Sequence, residues 1–171
     1  MQDDVEGPGS PSDTPYVAVI GPNEATDEEL RTAELVGSLL AQRGAVVVCG
    51  GLGGVMEAVC KGSAAHGGRS IGILPGRERK AGNAFASVTL ATGLGELRNG
   101  LVVGSCDAVI AVGGSWGTLS EIALAMRAGK PTFVLGGWHI GSPDAQTRGP
   151  MEVATAEQAV RGVYAAWNAR R

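Results

Sequence analysis

The residues most able to do chemistry sit where an apolar run, Asp107 to Val112, breaks into Gly113-Gly114-Ser115-Trp116-Gly117-Thr118 and a helix pattern carrying Glu121 follows at once. Glycines let the backbone come close to a ligand, and the first turn of a helix offers unpaired N–H groups and the positive end of its dipole. That combination predicts a phosphate cradle built from Gly114, Ser115, Gly117 and Thr118, with Glu121 one turn further in. A second turn of the same kind, Gly50-Gly51-Leu52-Gly53-Gly54, follows the run Ala45 to Cys49. Two cradles in one short chain point to a nucleotide-sized ligand.

Both turns need strands behind them and helices in front. Tyr16 to Ile20 is a continuous apolar run that ends at Gly21-Pro22, as in a strand covered on both faces. Thr26-Asp27-Glu28-Glu29 is a capping box, and Leu30, Ala33, Val36 and Leu40 follow at helical spacing up to Arg43-Gly44. The alternation then repeats: a strand from Ala45 to Cys49, a helix from about Val55 to Ala65, a strand from Ser70 to Leu74 and a weaker one from Ser87 to Ala91. A helix over Gly95 to Val103, the strand Asp107 to Val112, a helix to about Ala128 and a strand Pro131 to Leu135 complete the series. Arg77 to Ala86 reads as a loop or short irregular helix, and His139 to Val153 as a loop. Thr155-Ala156-Glu157-Gln158 is another capping box, opening a last helix with an apolar stripe.

Short strands alternating with helices predict a single Rossmann-like α/β domain, a doubly wound parallel sheet, over residues 15–171. Residues 1–14, rich in Asp, Gly, Pro and Ser, read as a disordered tail. In such a sheet the ligand crevice lies outside the carboxyl ends of the strands, near the reversal of strand order. Gly21 and both glycine turns fall on that edge.

Composition narrows the partners. A net charge of -3 without a long Lys/Arg cluster argues against DNA or RNA. Cys49, Cys60 and Cys106 are odd in number and lack CxxC spacing, and His66 and His139 are the only histidines, so neither a disulfide framework nor a metal site is expected. The N-terminus lacks a basic start followed by an apolar run, and no apolar segment approaches the ~20 residues that span a bilayer; a soluble, cytoplasmic protein without membrane contact is expected.

Known nucleotide motifs fit poorly. Gly51-Leu52-Gly53-Gly54-Val55-Met56 has two glycines of the dinucleotide fingerprint but Met56 at its third position, and no Lys-Ser/Thr pair supports a Walker A loop. Taken together, Gly50-Gly51-Leu52-Gly53-Gly54-Val55-Met56-Glu57-Ala58, Gly67-Gly68, Ile71-Gly72-Ile73-Leu74-Pro75-Gly76, Arg98 and Gly117-Thr118-Leu119-Ser120-Glu121 resemble the Lonely Guy family and its molybdenum-cofactor-carrier-like relatives. The resemblance spans roughly Val17 to Trp138. It implies a Rossmann-like fold, usually homodimeric, that binds nucleoside monophosphates; in the enzymes it implies hydrolysis of the N-glycosidic bond to free base and ribose 5-phosphate.

Two departures bear on that. The enzymes carry Pro-Gly-Gly-x-Gly-Thr-x-x-Glu and an Arg-Lys pair, whereas here Gly113 stands for the Pro, Ser115 for the second Gly and Asn99 for the Lys. Ligand binding tolerates such changes better than catalysis does. Two functions therefore stay open: a phosphoribohydrolase acting on an AMP-like nucleotide, and a nonenzymatic carrier of a nucleotide or pterin phosphate. An older lysine decarboxylase label is rejected, because Lys61, Lys80 and Lys130 are the only lysines and none has a recognisable pyridoxal setting. No resident cofactor is expected.

By the resemblance and the chemistry, Glu121 would stabilise an oxocarbenium-like state or activate water, and Arg98 would hold phosphate or the departing base. Gly21, Gly51, Gly53, Gly54 and Met56 join the cradle residues as ligand contacts. Plainer readings compete. Thr118-Leu119-Ser120-Glu121 is itself a capping-box sequence, Arg98 has the composition of a solvated surface charge, the glycines suit tight connections, and Trp116 suits packing as well as base stacking.

Overall fold

The computed structural model describes residues 13–171, so all of the expected tail except Asp13 and Thr14 lies outside the described residues. Seven strands form one sheet in the order β4-β3-β2-β1-β5-β6-β7: β1 (Tyr16–Ile20), β2 (Val46–Cys49), β3 (Arg69–Leu74), β4 (Val88–Ala91), β5 (Ala108–Val112), β6 (Thr132–Leu135) and β7 (Met151–Glu152). Every pairing is parallel. From β1 the chain winds outward through β2, β3 and β4, then returns to lay β5 against β1's other edge and winds away. The reversal of strand order therefore lies between β1 and β5, where Ala18 faces both Val48 and Val109.

Parallel strands covered on both faces must be apolar throughout, and β1, β2, β5 and β6 are almost entirely buried. Helices α1 (Asp27–Gln42), α2 (Val55–Ala64) and α5 (Ala156–Asn168) cover one face around Val19, Val47, Ile110 and Phe133. Helices α3 (Arg98–Gly104) and α4 (Trp116–Arg127) cover the other around Ile20, Val48 and Val109. All three cysteines are free and buried.

The predicted elements are present, with differences that follow from packing. The capping box at Thr26 forms as written: its hydroxyl accepts from the Glu29 N–H at 3.2 Å, and the Glu29 carboxylate accepts from the Thr26 N–H at 2.8 Å. At Thr155 only half of the box forms, because the Gln158 side chain takes the Ala154 N–H instead. The expected helix from Gly95 is split into a one-turn 3-10 segment, Gly95–Leu97, and α3 proper. Gly95, with φ +57°, lies outside helical backbone, so the chain enters through a single 3-10 turn that runs directly into α3, Leu97 and Arg98 both being right-handed helical. The expected loop from His139 to Val153 contains β7, a two-residue strand that satisfies the free edge of β6.

Candidate functional site

A cavity of about 240 Å³ opens at the carboxyl ends of β1, β2 and β3 and the start of α4, on the crevice edge of the sheet. Of the residues expected to bind or react, Gly21, Met56, Arg98, Ser115, Gly117, Thr118 and Glu121 line it. Gly51, Gly53, Gly54 and Gly114 do not, and each has a structural reason for being glycine or for its position.

Those reasons are contacts with neighbouring chain. Gly51 has φ +76° and lies against β3, where a Cβ would meet the Gly72 Cα at 3.0 Å. Gly54 has φ +60°, and its Cβ would run into the carbonyls of Pro22 and Asn23. The Gly53 N–H donates to Asn23 Oδ1 at 3.0 Å, pinning this turn to the loop after β1. Gly114 sits beneath the Trp138 ring, 2.8 Å from where its Cβ would be. Asn83, in the polar stretch after β3, clamps the first turn by donating from its amide to the Gly51 and Leu52 carbonyls. The glycine that matters to the cavity is Gly50, which lines it and was absent from the expected contacts. A Cβ there would stand 2.7 Å from Arg98 Nη2 and 2.6 Å from Met56 Sδ, so its bareness is what lets the guanidinium lie across the end of β2.

The second turn is built differently. Ser115, not Thr118, is the N-cap of α4: its hydroxyl accepts from the Thr118 N–H at 3.2 Å and lies 3.0 Å from the Thr118 hydroxyl. Glu121 therefore lies in the second turn of the helix and completes no capping box, which removes the plain reading of that residue. The Trp116 and Gly117 amides, at the first two helical positions, find no protein acceptor among the described residues and remain free for an anion.

Arg98 is not a solvated charge either. It is 8% exposed, its Nη1 donates to Asn99 Oδ1 at 2.6 Å and stands 3.6 Å from Glu121 Oε1, and its buried Nε has no partner. Glu121 is 6% exposed. Burial pushes its carboxyl up to about 7, and the attraction of Arg98 only partly opposes this. The 3.6 Å separation accounts for the outcome: it exceeds the 2.7–2.9 Å of a charge-assisted hydrogen bond, so desolvation outweighs the pairing. Glu96, at the cavity wall, is the third charged residue, and Asn23 and Asn99 add amides that sequence spacing alone does not single out.

Trp116 lies outside the cavity wall. It is 77% exposed and rests its ring against Trp138, centroids 4.9 Å apart, while Trp138 Nε1 donates to the Ser115 carbonyl at 2.9 Å. The two rings brace the N-terminus of α4 from outside. Among the described residues no group of His, Cys, Asp and Glu is arranged to hold a metal ion, and no helix is long and apolar enough to cross a membrane.

A doubly wound parallel sheet with a helix N-terminus, a buried arginine and a buried acid at its switch point is a Rossmann-like fold. The chain belongs to the SLOG cluster4 family, whose model matches residues 14–163. An uncharacterised protein of Archaeoglobus fulgidus is 43% identical over 144 residues, 84% of this chain and 91% of that protein. Among solved structures, the molybdenum cofactor binding protein of Rippkaea orientalis is 32% identical with a TM-score of 0.81, covering 89% of this chain and 96% of that one. The molybdenum cofactor carrier protein of Chlamydomonas reinhardtii is 29% identical with a TM-score of 0.78, covering 91% and 99%. The resemblance read from the motifs thus holds for the family and the fold.

Proposed function

We propose that this protein binds a phosphate-bearing heterocycle of the pterin phosphate class in the cavity at the start of α4 and carries it without turnover. The observation that carries the reading is convergence. The free Gly117 amide, the Ser115 and Thr118 hydroxyls and the Arg98 guanidinium gather at one crevice, which is what a phosphate requires. The likeness to two molybdenum cofactor proteins, over 89% and 91% of this chain, supports the heterocycle. Titration calorimetry with a pterin phosphate and with AMP tests it: saturable binding of the pterin phosphate is expected, and no binding of either compound overturns it.

One observation favours a second reading, N-glycosidic hydrolysis of an AMP-like nucleotide. The Glu121 carboxyl, raised to about 7, is poised to accept a proton from water near neutral pH, beside a cation able to hold the leaving group. Incubation with AMP and with an isopentenyl-adenine riboside monophosphate, followed by chromatography for free base and ribose 5-phosphate, separates the two functions. Release of base establishes the hydrolase.

A homodimer is part of this proposal. Leu97, Leu101 and Leu124, exposed by 80%, 46% and 39%, line the outer side of α3 and α4. The groove there shares Glu96 and Asn99 with the cavity wall, so a second copy seated on it would border the ligand. Sedimentation should show a dimer that Leu97→Glu dissociates.

A further inference from the structure

We infer that Asn99 is a positioning residue that draws the Arg98 guanidinium away from Glu121 and keeps it turned to the cavity, available to an anionic ligand. Three hydrogen bonds in series carry the inference. Ser120 Oγ donates to the Gly117 carbonyl at 2.7 Å, Asn99 Nδ2 donates to Ser120 Oγ at 3.3 Å, and Arg98 Nη1 donates to Asn99 Oδ1 at 2.6 Å.

The polarity of this chain leaves no alternative. The single Ser120 hydroxyl hydrogen is committed to a carbonyl, so the oxygen can only accept from its other neighbour. That fixes the Asn99 NH2 toward Ser120 and the amide oxygen toward Arg98. A lysine at position 99 has no acceptor and could not take this place. The anchor at the far end is the carbonyl of Gly117, whose own N–H belongs to the proposed phosphate cradle. The guanidinium is therefore referenced to the first turn of α4 rather than to the acid nearest it.

Without Asn99, the shortest path to satisfying Nη1 is the Glu121 carboxylate, already 3.6 Å away. Closing that gap would form a buried, hydrogen-bonded ion pair and neutralise the cation that a phosphate needs. Arg98, Glu96 and Glu121 are the charged groups that face the cavity; the ends of β1, β2 and β3 and the start of α2 contribute none. The Glu121 carboxyl thus reports the state of Arg98 directly.

The ligand side of this inference rests on the proposed function, but its geometric side does not. The experiment follows the Glu121 carboxyl in the unliganded protein by carbon-13 NMR across pH, with Glu121→Gln assigning the resonance. In Asn99→Ala the midpoint should fall by about one pH unit or more as Arg98 closes on Glu121, and affinity for the probe AMP should drop about tenfold. Ser120→Ala, which cuts the relay at a solvent-facing residue, should lower the midpoint in the same direction by less, and it serves where Asn99→Ala does not fold. An unchanged midpoint in a folded Asn99→Ala or Ser120→Ala protein overturns the inference. If the wild type binds no phosphate compound while the midpoint still moves, the binding proposal fails and the positioning role stands.

Discussion

The two glycine turns look alike in sequence and do different work. At Gly50 to Gly54, three glycines serve the chain itself: Gly51 and Gly54 adopt positive φ and press against backbone, and Gly53 is tied to Asn23. The N-cap of α2 is Gly54, which has no side chain to cap with. At Gly113 to Thr118 the helix is capped by Ser115, and Gly117 is open: a Cβ added there would meet only Ser115 Oγ, at 3.7 Å. The first turn is a joint between β1, β2 and β3; the second presents donors to a cavity. Glycine content measures neither role. What distinguishes Gly54 from Gly117 is whether a methyl group would strike backbone or open space; Gly113 and Gly114, whose added Cβ atoms would meet Glu29 and Trp138, are structural like the first turn's glycines.

That contrast is most exposed at Gly54. Gly54→Ala forces a side chain against two carbonyls at a φ that L residues avoid, and it should cost about 3 kcal/mol or more of stability. Chemical denaturation reads this; a shift of a few tenths would mean the joint is not what holds the first turn.

Next in size is Glu121, beside the second turn. Its carboxyl is raised to about 7 in the fold, against about 4.3 in an unfolded chain. The folded state therefore holds a proton that the unfolded state has lost between those values. Stability contributed by this group is full below about pH 4.3 and declines as pH rises toward 7, by on the order of 3 kcal/mol. Glu121→Gln should remove that decline, so the variant gains on the wild type as pH rises from 5 to 8 in paired denaturation curves. Parallel curves would show that Glu121 titrates normally.

Ser115→Ala removes the cap of α4 and should cost about 1 kcal/mol while weakening AMP or pterin phosphate binding. The smallest effect belongs to Gly117→Ala. With open space around it and a helical backbone, this change should leave stability within about 0.5–1 kcal/mol, on the favourable side. Loss of several kcal/mol at Gly117 would erase the contrast between the turns.

The strand and helix alternation was legible because β1, β2, β5 and β6 are buried on both faces and must be apolar along their length. The cavity was legible in outline, since both turns fall at strand ends. Three features were not. Thr118-Leu119-Ser120-Glu121 reads as a capping box, and only the actual helix start, at Trp116, makes Ser115 the cap instead. The split of Gly95 to Gly104 depends on a positive φ at Gly95 that a helix pattern does not display. Strand β7 is two exposed residues, too short for any periodicity, and exists because β6 offers an unpaired edge.

Sequence alone therefore determined the parallel sheet and the edge on which the cavity lies, because local periodicity and glycine placement are properties of neighbouring residues, and the combination of motifs carried the resemblance to the family. Tertiary structure decided which of those residues meet. Arg98 is buried rather than solvated because Gly50, 48 positions earlier in the chain, has no side chain to exclude it, and Glu121 is an acid in a cavity rather than part of a cap because α4 begins five residues before it, at Trp116. Charge and burial at a site are set by what the rest of the chain brings against it.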